Sequence, residues 1–268
     1  MELKPLGKTG VMIPEIGLGT WNYTGGIEPL LKGIEMGASL IDTAEGYHTE
    51  EVVGQAIRGI RDRVFVATKV SGRHLRYDDV LRAAEGSLRL LDTDYIDLYQ
   101  IHWPNPDIPI KETMRAMERL VDSGQVRWIG VSNVSVEELM EAEAAMSRYP
   151  IVSNQVLYNL NSREIERDLL PYSEKHGITI LAYTPLDNGR LAMTKPRPWR
   201  GRGMKVLKQI AEETGKTPAQ VALNWCTSHP NVIAIPKSNS VTRTIENCLA
   251  SGWRLSKTQI RLLNEAFS

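Results

Sequence analysis

Eight short apolar segments recur along this chain at nearly even intervals, and this repetition limits the possible folds more than any other feature of the sequence. The segments are rich in Ile, Val and Tyr, and from Gly17 to Ala234 they recur about every 31 residues. One strand followed by one helix takes about 30 residues. The apolar residues do not alternate strictly with polar ones, which is typical of parallel strands covered on both faces. The eight segments are residues 16–19, 40–42, 64–69, 95–102, 128–132, 152–155, 178–183 and 232–236.

Eight strand–helix units predict an α/β fold in which the strands close into a (β/α)8 barrel, which needs about 250 residues. The chain has 268 residues, so we expect one barrel domain over residues 1–268 without an internal linker. Before the first barrel strand, Gly7 and Gly10 indicate the turn of a short β-hairpin that caps the bottom of the barrel. The Pro-, Gly- and Arg-rich residues 187–203 predict a long loop between the seventh and eighth strands.

Helix-capping signals lie between the predicted strands. A Ser, Thr or Asn followed three residues later by Glu or Gln can satisfy the free N–H groups at a helix start. Residues 137–146 are strongly helix-forming, and Pro218 is suited to a first helical position. The predicted capping pairs are Ser135 with Glu138, Asn161 with Glu164, Thr217 with Gln220, and Ser256 with Gln259.

Composition excludes several classes of function. The chain has 32 Lys and Arg against 32 Asp and Glu, whereas proteins that bind nucleic acids or membrane surfaces are usually basic. We therefore expect neither a nucleic-acid nor a membrane partner. The two cysteines, Cys226 and Cys248, are too few for a disulfide framework and indicate a reducing compartment. The N-terminus lacks the apolar core of a signal peptide, and no apolar run approaches the roughly 18 residues of a membrane span, so we expect a cytoplasmic protein.

Two motifs that resemble nucleotide-binding loops are incomplete. Residues 17–22 begin like a dinucleotide fingerprint, but Asn22 stands where the third glycine is needed. Residues 214–217 resemble the end of a P-loop, but Ile210 occupies the position of its first glycine. The five histidines lack metal-ligand spacing, so no metal site is expected.

Polar side chains follow the predicted strands, where a barrel carries its functional residues. Lys69 ends a buried strand and needs a counter-charge, which Asp42 on the neighbouring strand can provide. A Lys⁺ beside Tyr47 would favour the phenolate and lower the tyrosine pKa from about 10. His102 can donate a hydrogen bond to a carbonyl oxygen held at the tyrosine hydroxyl. This group therefore suits protonation of an oxygen while a hydride reaches the carbon.

Five segments at the predicted strand ends resemble the signature segments of the aldo-keto reductase superfamily, in order and over essentially the whole chain. The resemblance implies a (β/α)8 barrel, a bound nicotinamide cofactor that is usually NADPH, and reversible reduction of aldehydes or ketones to alcohols. The segments are DTAEGYH (42–48), ATK (67–69), QIHWP (100–104), GVSN (130–133) and IPKS (235–238).

The resemblance also implies roles for individual residues. Tyr47 resembles the proton donor, Lys69 the partner that lowers its pKa, Asp42 the residue that holds this lysine, and His102 the residue that orients the carbonyl. Tyr183 resembles the ring that stacks on the nicotinamide. The full set of implied cofactor-binding residues is Gly19, Thr20, Trp21, Asp42, Ser132, Asn133, Gln155, Tyr183, Thr184, Pro185, Leu186, Ile235, Pro236, Lys237, Ser238, Arg243, Glu246 and Asn247.

The choice between NADPH and NADH can also be argued from charge. Ser240 is a plausible N-cap, which puts Arg243 in the first turn of the following helix. A helix N-terminus together with Lys237, Ser238 and Arg243 is suited to an anion. A bare ribose needs no such cluster, whereas a 2′-phosphate does, so we expect NADP(H) and favour it over NAD(H).

The substrate is predicted only by class, as a small-molecule carbonyl compound. Trp21 and Trp103 follow strand ends and can form apolar walls beside Tyr47 and His102. The chain ends at Ser268, directly after its last predicted helix, so we expect an open pocket that discriminates weakly among substrates. The sequence does not predict the natural carbonyl compound or the oligomeric state.

Two other functions remain open at this point. The family that this chain resembles also includes regulatory subunits, which bind the cofactor without significant turnover. A barrel with a buried lysine can also be a Schiff-base aldolase that uses Lys69 as its nucleophile. Asp42 would keep Lys69 protonated and non-nucleophilic, which disfavours the aldolase.

Overall fold

A sheet of eight parallel strands forms the centre of the computed structural model, which describes residues 1–193 and 201–267. Each strand pairs in parallel with the next one along the chain. Parallel bridges from Ile16 to Ala234 and from Gly19 to Lys237 join the first strand to the last. The predicted (β/α)8 barrel with a short N-terminal hairpin is therefore confirmed.

All eight predicted segments overlap an observed strand. The hairpin strands are β1 (Leu3–Pro5) and β2 (Met12–Pro14), and the barrel strands are β3 (Leu18–Gly19), β4 (Leu40–Asp42), β5 (Phe65–Val70), β6 (Ile96–Ile101), β7 (Val126–Ser132), β8 (Ile151–Leu157), β9 (Thr179–Tyr183) and β10 (Val232–Ala234).

Helices surround the barrel and alternate with its strands. They are α1 (Glu28–Glu35), α2 (Glu50–Ile57), α3 (Tyr77–Leu91), α4 (Ile110–Asp122), α5 (Val136–Ala145), α6 (Leu169–His176), α7 (Arg202–Thr214), α8 (Pro218–Cys226), α9 (Val241–Cys248) and α10 (Lys257–Ala266). Short 3-10 helices cover Glu45–Tyr47, Arg61–Arg63 and Glu164–Glu166. In the part of the chain that the structure describes, no helix has the length and apolarity needed to cross a membrane.

The hairpin closes the end of the barrel at which the strands begin. Gly7 and Gly10 take the positive φ angles of +52° and +79° that its turn requires. Leu6 and Ile13 are buried in the same apolar cluster as Leu40 and Leu181 inside the barrel. The opposite end, where the strands finish, is therefore the end left for polar groups.

The period of the strands explains how polar groups reach that opposite end. Leu40, Ala67 and Leu181 belong to the apolar cluster inside the barrel. Side chains two positions apart on a strand point to the same face. Asp42, Lys69 and Tyr183 come two residues after these three, so they also point inward, one layer closer to the ends of the strands.

Three of the four predicted capping boxes form, at Ser135, Thr217 and Ser256, and Pro218 is the first residue of α8. The box at Asn161 is wrong. The 3-10 helix there has Arg163 as its N-cap and so begins two residues too late for Asn161 to cap it, and the Asn161 Nδ2 donates a hydrogen bond to Asp187 Oδ2 at 2.9 Å.

The segment predicted as a loop over 187–203 is only partly confirmed. Residues 187–192 form turns, residues 194–200 lie outside the described residues, and α7 already begins at Arg202. The last two residues assigned to the loop are therefore helical. Two helices, α7 and α8, then connect this segment to β10, which accounts for the long interval before the eighth barrel strand.

Candidate active site

A buried ion pair lies where β4 and β5 end. Lys69 is fully buried and Asp42 is 2% exposed, and Lys69 Nζ lies 2.8 Å from Asp42 Oδ2. The ammonium group also donates to the Thr43 carbonyl oxygen at 2.8 Å and lies 3.5 Å from the Tyr47 hydroxyl. Three oxygens thus match its three N–H donors. Burial lowers the pKa of Lys69, and the Asp42 carboxylate opposes this effect by stabilising the charge.

Tyr47 reaches the same point from the short 3-10 helix after β4. Its hydroxyl lies 3.3 Å from His102 Nε2, and the two rings meet edge to face. Burial raises the pKa of Tyr47, and the Asp42 charge raises it further. The lowering expected from Lys69 does not prevail, because the ammonium is paired with Asp42 and loss of water around the phenolate costs more. Tyr47 therefore keeps its proton through the neutral pH range.

His102 is held in its neutral form. Burial lowers its pKa to about 4, and the nearby Lys69 charge acts in the same direction. A neutral imidazole has one N–H donor and one acceptor nitrogen. Beside the tyrosine hydroxyl, this ring can therefore donate one hydrogen bond to an oxygen without supplying a charge.

Gln155 connects the ion pair to the far side of the barrel. Its Nε2 donates to Asp42 Oδ1 at 2.7 Å, so both oxygens of that carboxylate have fixed partners. Ser132 Oγ donates to the Gln155 backbone carbonyl at 2.8 Å. The first bond orients the side-chain amide of Gln155, and the second holds its backbone at the wall of the cavity.

Asn133 makes a second connection across the strand ends. It has a φ of +60°, its Oδ1 accepts from the Tyr183 hydroxyl at 2.9 Å, and its Nδ2 donates to the His102 carbonyl oxygen at 3.0 Å. Tyr183, Asn133 and His102 therefore belong to one hydrogen-bonded unit that joins the ends of β6, β7 and β9.

These groups line a cavity of about 610 Å³ at the carboxyl ends of the strands. Trp21 and Trp103 stand at its mouth with 54% and 53% of their surface exposed. The predicted residues that line it are Gly19, Thr20, Trp21, Asp42, Tyr47, His102, Trp103, Ser132, Asn133, Gln155, Tyr183, Thr184, Pro185, Leu186, Ile235, Pro236 and Lys237.

The cavity also contains residues that the sequence reasoning missed. Asn22, Asn188 and Gly189 contribute to its wall, and both asparagines have positive φ angles. Asn22 follows Trp21 directly, and Asn188 follows the predicted stretch 184–186 by two residues. Their nearness to predicted residues was the one available signal, because nothing in their chemistry separates them from ordinary loop asparagines.

Five of the predicted residues do not line this cavity, and one of them, Lys69, is fully buried beside Asp42. Ser238 and Asn247 line a narrow neighbouring recess with Gly19 and Pro236. Arg243 and Glu246 form an ion pair with each other in α9. The predicted N-cap position of Ser240 is confirmed, although its side chain makes no capping bond and its N–H donates to Ser238 Oγ.

No cluster of three or more His, Cys, Asp or Glu side chains suited to a metal ion occurs within residues 1–193 and 201–267.

The sequence model of the "Aldo/keto reductase family" matches residues 15–267. The chain belongs to the aldo/keto reductase family. The predicted resemblance is therefore confirmed, and the match spans the whole barrel together with the cavity described above.

Characterised relatives of this aldo/keto reductase align over nearly their full length. It is 37% identical to methylglyoxal reductase YeaE of Escherichia coli strain K12, with 96% of this chain and 92% of that protein covered. It is 38% identical to glyoxal reductase of Bacillus subtilis strain 168, with 92% and 87% covered.

Solved aldo/keto reductases share the fold closely. A thermostable member, crystallised with the inhibitor epalrestat, superposes with a TM-score of 0.91 at 43% identity, covering 99% of this chain and all of the other. A Klebsiella pneumoniae member, crystallised with NADP and acetate, gives a TM-score of 0.88 at 40% identity, with 100% and 96% covered.

Proposed function

We propose that this aldo/keto reductase reduces small aldehydes and ketones to alcohols with NADPH, reversibly, and that Tyr47 is the general acid. The observation that carries the proposal is the position of the Tyr47 hydroxyl in the cavity, 3.5 Å from Lys69 Nζ and 3.3 Å from His102 Nε2. The relatives that reduce methylglyoxal and glyoxal support the same class of substrate.

The chemistry of the cavity suits a dinucleotide phosphate. Amide and hydroxyl groups line the cavity together with Tyr47, and its lining also includes the exposed cation Lys237. In this proposal Ser132, Asn133 and Gln155 bind the nicotinamide carboxamide, and Tyr183 stacks on its ring. When bound, NADPH supplies the hydride. The pyrophosphate would contact Thr184, Pro185 and Leu186. The 2′-phosphate would contact Lys237, Ser238 and Arg243, and the adenine would contact Glu246 and Asn247.

The chain's own part in the reaction begins with the carbonyl oxygen. The Tyr47 hydroxyl and the His102 imidazole are close enough to donate hydrogen bonds to the same oxygen. As the carbonyl carbon gains a hydride, this oxygen becomes an alkoxide, which is a stronger base than a phenolate. Tyr47 therefore gives up its proton to the alkoxide despite its raised pKa.

The buried ion pair stabilises what remains after proton transfer. The resulting Tyr47 phenolate lies beside the Lys69 ammonium, whose charge acts strongly in a site with little water. Asp42 holds this ammonium in place through a 2.8 Å contact. In the oxidation direction the same phenolate accepts the proton of the alcohol.

The substrate side of the cavity favours small, largely apolar carbonyl compounds. Trp21 and Trp103 provide broad apolar surfaces at the mouth. Methylglyoxal is the first substrate to test, since a small 2-oxoaldehyde needs little more than the oxygen site at Tyr47 and an apolar wall.

The test is NADPH oxidation with methylglyoxal and a panel of aldehydes, ketones and aldoses. Tyr47→Phe removes only the hydroxyl, so NADPH binding, followed by fluorescence, should persist while kcat falls by at least about 10²-fold. Tyr149→Phe is the matched control, because that hydroxyl binds Asp122 on α4, outside the cavity. Near-normal turnover by Tyr47→Phe would rule out the proposed acid.

The other two functions give different results in the same experiments. A regulatory subunit would bind NADPH but oxidise it with no member of the panel. A Schiff-base aldolase would be labelled covalently at Lys69 when a carbonyl substrate is added with borohydride.

A further inference from the structure

Three threonine side chains form a buried line next to the Asp42–Lys69 ion pair. Thr20, Thr43 and Thr49 are each at most 4% exposed. Thr49 Oγ1 lies 2.9 Å from Thr20 Oγ1 and 2.9 Å from Thr43 Oγ1. Thr20 Oγ1 in turn donates to the Asp42 carbonyl oxygen at 2.9 Å. We call these three residues the threonine chain.

The hydrogen bonds of the threonine chain can run in only one direction. A hydroxyl group has a single hydrogen to donate. Thr20 uses its hydrogen on the Asp42 carbonyl oxygen, so Thr49 must donate to Thr20, and Thr43 must donate to Thr49. Hydrogen bonds aligned in this way polarise and strengthen one another. All three side chains are therefore fixed in one orientation.

Thr49 stands at the start of a helix, but its side chain does not cap that helix. Thr49 is the N-cap of α2, where a threonine hydroxyl commonly accepts a hydrogen bond from a free N–H of the first turn. Here its side chain makes no capping bond and binds the two other threonines instead. The first turn of α2 therefore lacks a side-chain cap, and the Thr49 hydroxyl instead stabilises the loop that precedes the helix.

That loop carries Tyr47. Thr43 and Thr49 lie on either side of it, and the bond between their hydroxyls closes the loop into a ring. Within the ring His48 has a φ of +56°, a conformation that costs free energy for a residue other than glycine. The Thr43 carbonyl oxygen also accepts from Lys69 Nζ. Thr43 therefore contacts Lys69 directly, and its bond to Thr49 holds the loop that carries Tyr47.

We propose that Thr49 is a positioning residue for catalysis: through the threonine chain it holds the loop that sets the Tyr47 hydroxyl against Lys69 Nζ and His102 Nε2. The inference rests on the acid role proposed for Tyr47. The distances of 3.5 Å and 3.3 Å in this arrangement are long for hydrogen bonds, so a small outward shift of the loop would break both.

Thr49→Val tests the inference, since valine has nearly the same shape and lacks the hydroxyl. We expect kcat to fall about tenfold, because a displacement of 1 Å can cost about 10²-fold and the loop keeps its other contacts. The Kd for NADPH should stay within about twofold. Thr49→Ser restores the hydroxyl and should recover most of kcat. Thr214→Val is the matched control, because that hydroxyl bonds within α7.

The pH profile of alcohol oxidation separates positioning from a general loss of structure. With Tyr47 further from Lys69, the phenolate is less stabilised, so half-maximal oxidation should move to higher pH in Thr49→Val and return in Thr49→Ser. A merely structural role would lower activity without moving this midpoint. The substitution leaves the ionisable groups around Tyr47 unchanged, namely Asp42, Glu45, Lys69, His102 and Tyr183.

Failure of the inference and failure of the proposed function look different. If Tyr47→Phe remains active, the acid assignment itself is wrong. If Tyr47→Phe is inactive while Thr49→Val keeps the wild-type kcat and pH midpoint, only the positioning role is overturned. Should Thr49→Val fail to fold, Thr43→Val removes the first donor and leaves the Thr49–Thr20 bond. It should lower kcat about threefold with the same direction of pH shift, and wild-type behaviour there would equally contradict the inference.

Discussion

The two predicted parts of the site, called here the reaction end and the anion end, are built in opposite ways. The reaction end comprises Asp42, Tyr47, Lys69 and His102. Its two charged groups, Asp42 and Lys69, are buried inside the barrel and contact each other. The anion end, which comprises Lys237, Ser238 and Arg243, consists of loop and helix-end groups, and Arg243 is bonded to Glu246 with 59% of its side chain exposed. The contacts of the reaction end thus join the chain's own inward-facing groups, whereas the anion contacts proposed for the other end would be made by surface groups.

This difference has an energetic consequence. A surface ion pair such as Arg243–Glu246 contributes about 0–1 kcal/mol, so an incoming phosphate can displace Glu246 at little cost. A buried pair cannot exchange partners in this way, because either charge left alone would lack both water and a counter-ion. We therefore expect substitutions at the reaction end to have larger effects than substitutions at the anion end.

The largest effect should follow from Lys69→Met, which breaks the buried pair. The Asp42 carboxylate would be left buried without its cation, which should lower the free energy of unfolding by about 3–5 kcal/mol. Turnover should fall by more than about 10²-fold, because the Tyr47 phenolate also loses its neighbouring charge. Urea unfolding and NADPH oxidation measure the two effects.

Lys237→Met provides the matched comparison, since it makes the same substitution at an exposed lysine that lines the cavity. Because Lys237 is exposed, the free energy of unfolding should change by less than about 0.5 kcal/mol. Similar losses of stability in both variants would contradict the contrast between the two ends.

The sequence predicted that Asp42 and Lys69 lie together, and it did so for a physical reason. Asp42 and Lys69 end neighbouring strands, the strand period points both inward, and a buried lysine needs a counter-charge. The sign of the Tyr47 pKa shift could not be predicted, because it depends on how deeply the hydroxyl is buried. The threonine chain was also out of reach, since a threonine hydroxyl accepts many partners and nothing in the sequence brings Thr20 to Thr49.

At the anion end the sequence predicted where the helix α9 begins, but it did not predict which hydrogen bonds its side chains make. Ser240 is the N-cap of α9 as expected, but its side chain does not cap the helix. The i,i+3 spacing of Arg243 and Glu246 was visible in the sequence and accounts for their pairing on the helix surface. Which surface partner a flexible arginine takes depends on small free-energy differences, and sequence patterns do not resolve them.

The second effect concerns the choice of cofactor. If Arg243 binds the 2′-phosphate, a charge-assisted contact of about 1.5–3 kcal/mol is lost in Arg243→Ala, and the Kd for NADPH should rise by about tenfold or more. The Kd for NADH, which has no such phosphate, should stay nearly unchanged, and both are measured by fluorescence titration. Arg261→Ala removes a comparable surface arginine on α10 and should alter neither constant. An equal loss for both cofactors would place Arg243 in another role.

A smaller effect is expected at the cavity mouth. Trp21→Ala removes an aromatic wall that contributes about 0.5–1.5 kcal/mol beyond simple burial, so KM for aromatic aldehydes should rise about fivefold. KM for methylglyoxal, which offers no ring, should change less than twofold and acts as the internal control. We expect millimolar KM values for small aldehydes in the wild type. A substrate with a low micromolar KM would contradict the weakly selective pocket without affecting Tyr47.

The smallest effect concerns pH, and it separates the two ends without any substitution. The pKa of His102 is lowered to about 4 and that of Tyr47 is raised, so neither group changes its protonation between about pH 5.5 and 8, and kcat for reduction should vary less than twofold. The 2′-phosphate has a second pKa of about 6, as phosphate monoesters do, and its weaker charge below that pH should raise KM for NADPH a few-fold. A steady-state profile measured with both substrates varied distinguishes the two parameters. If kcat itself fell with a midpoint near pH 6.5 as pH rose, an imidazolium would be the proton donor, and the neutral His102 of this site would be wrong.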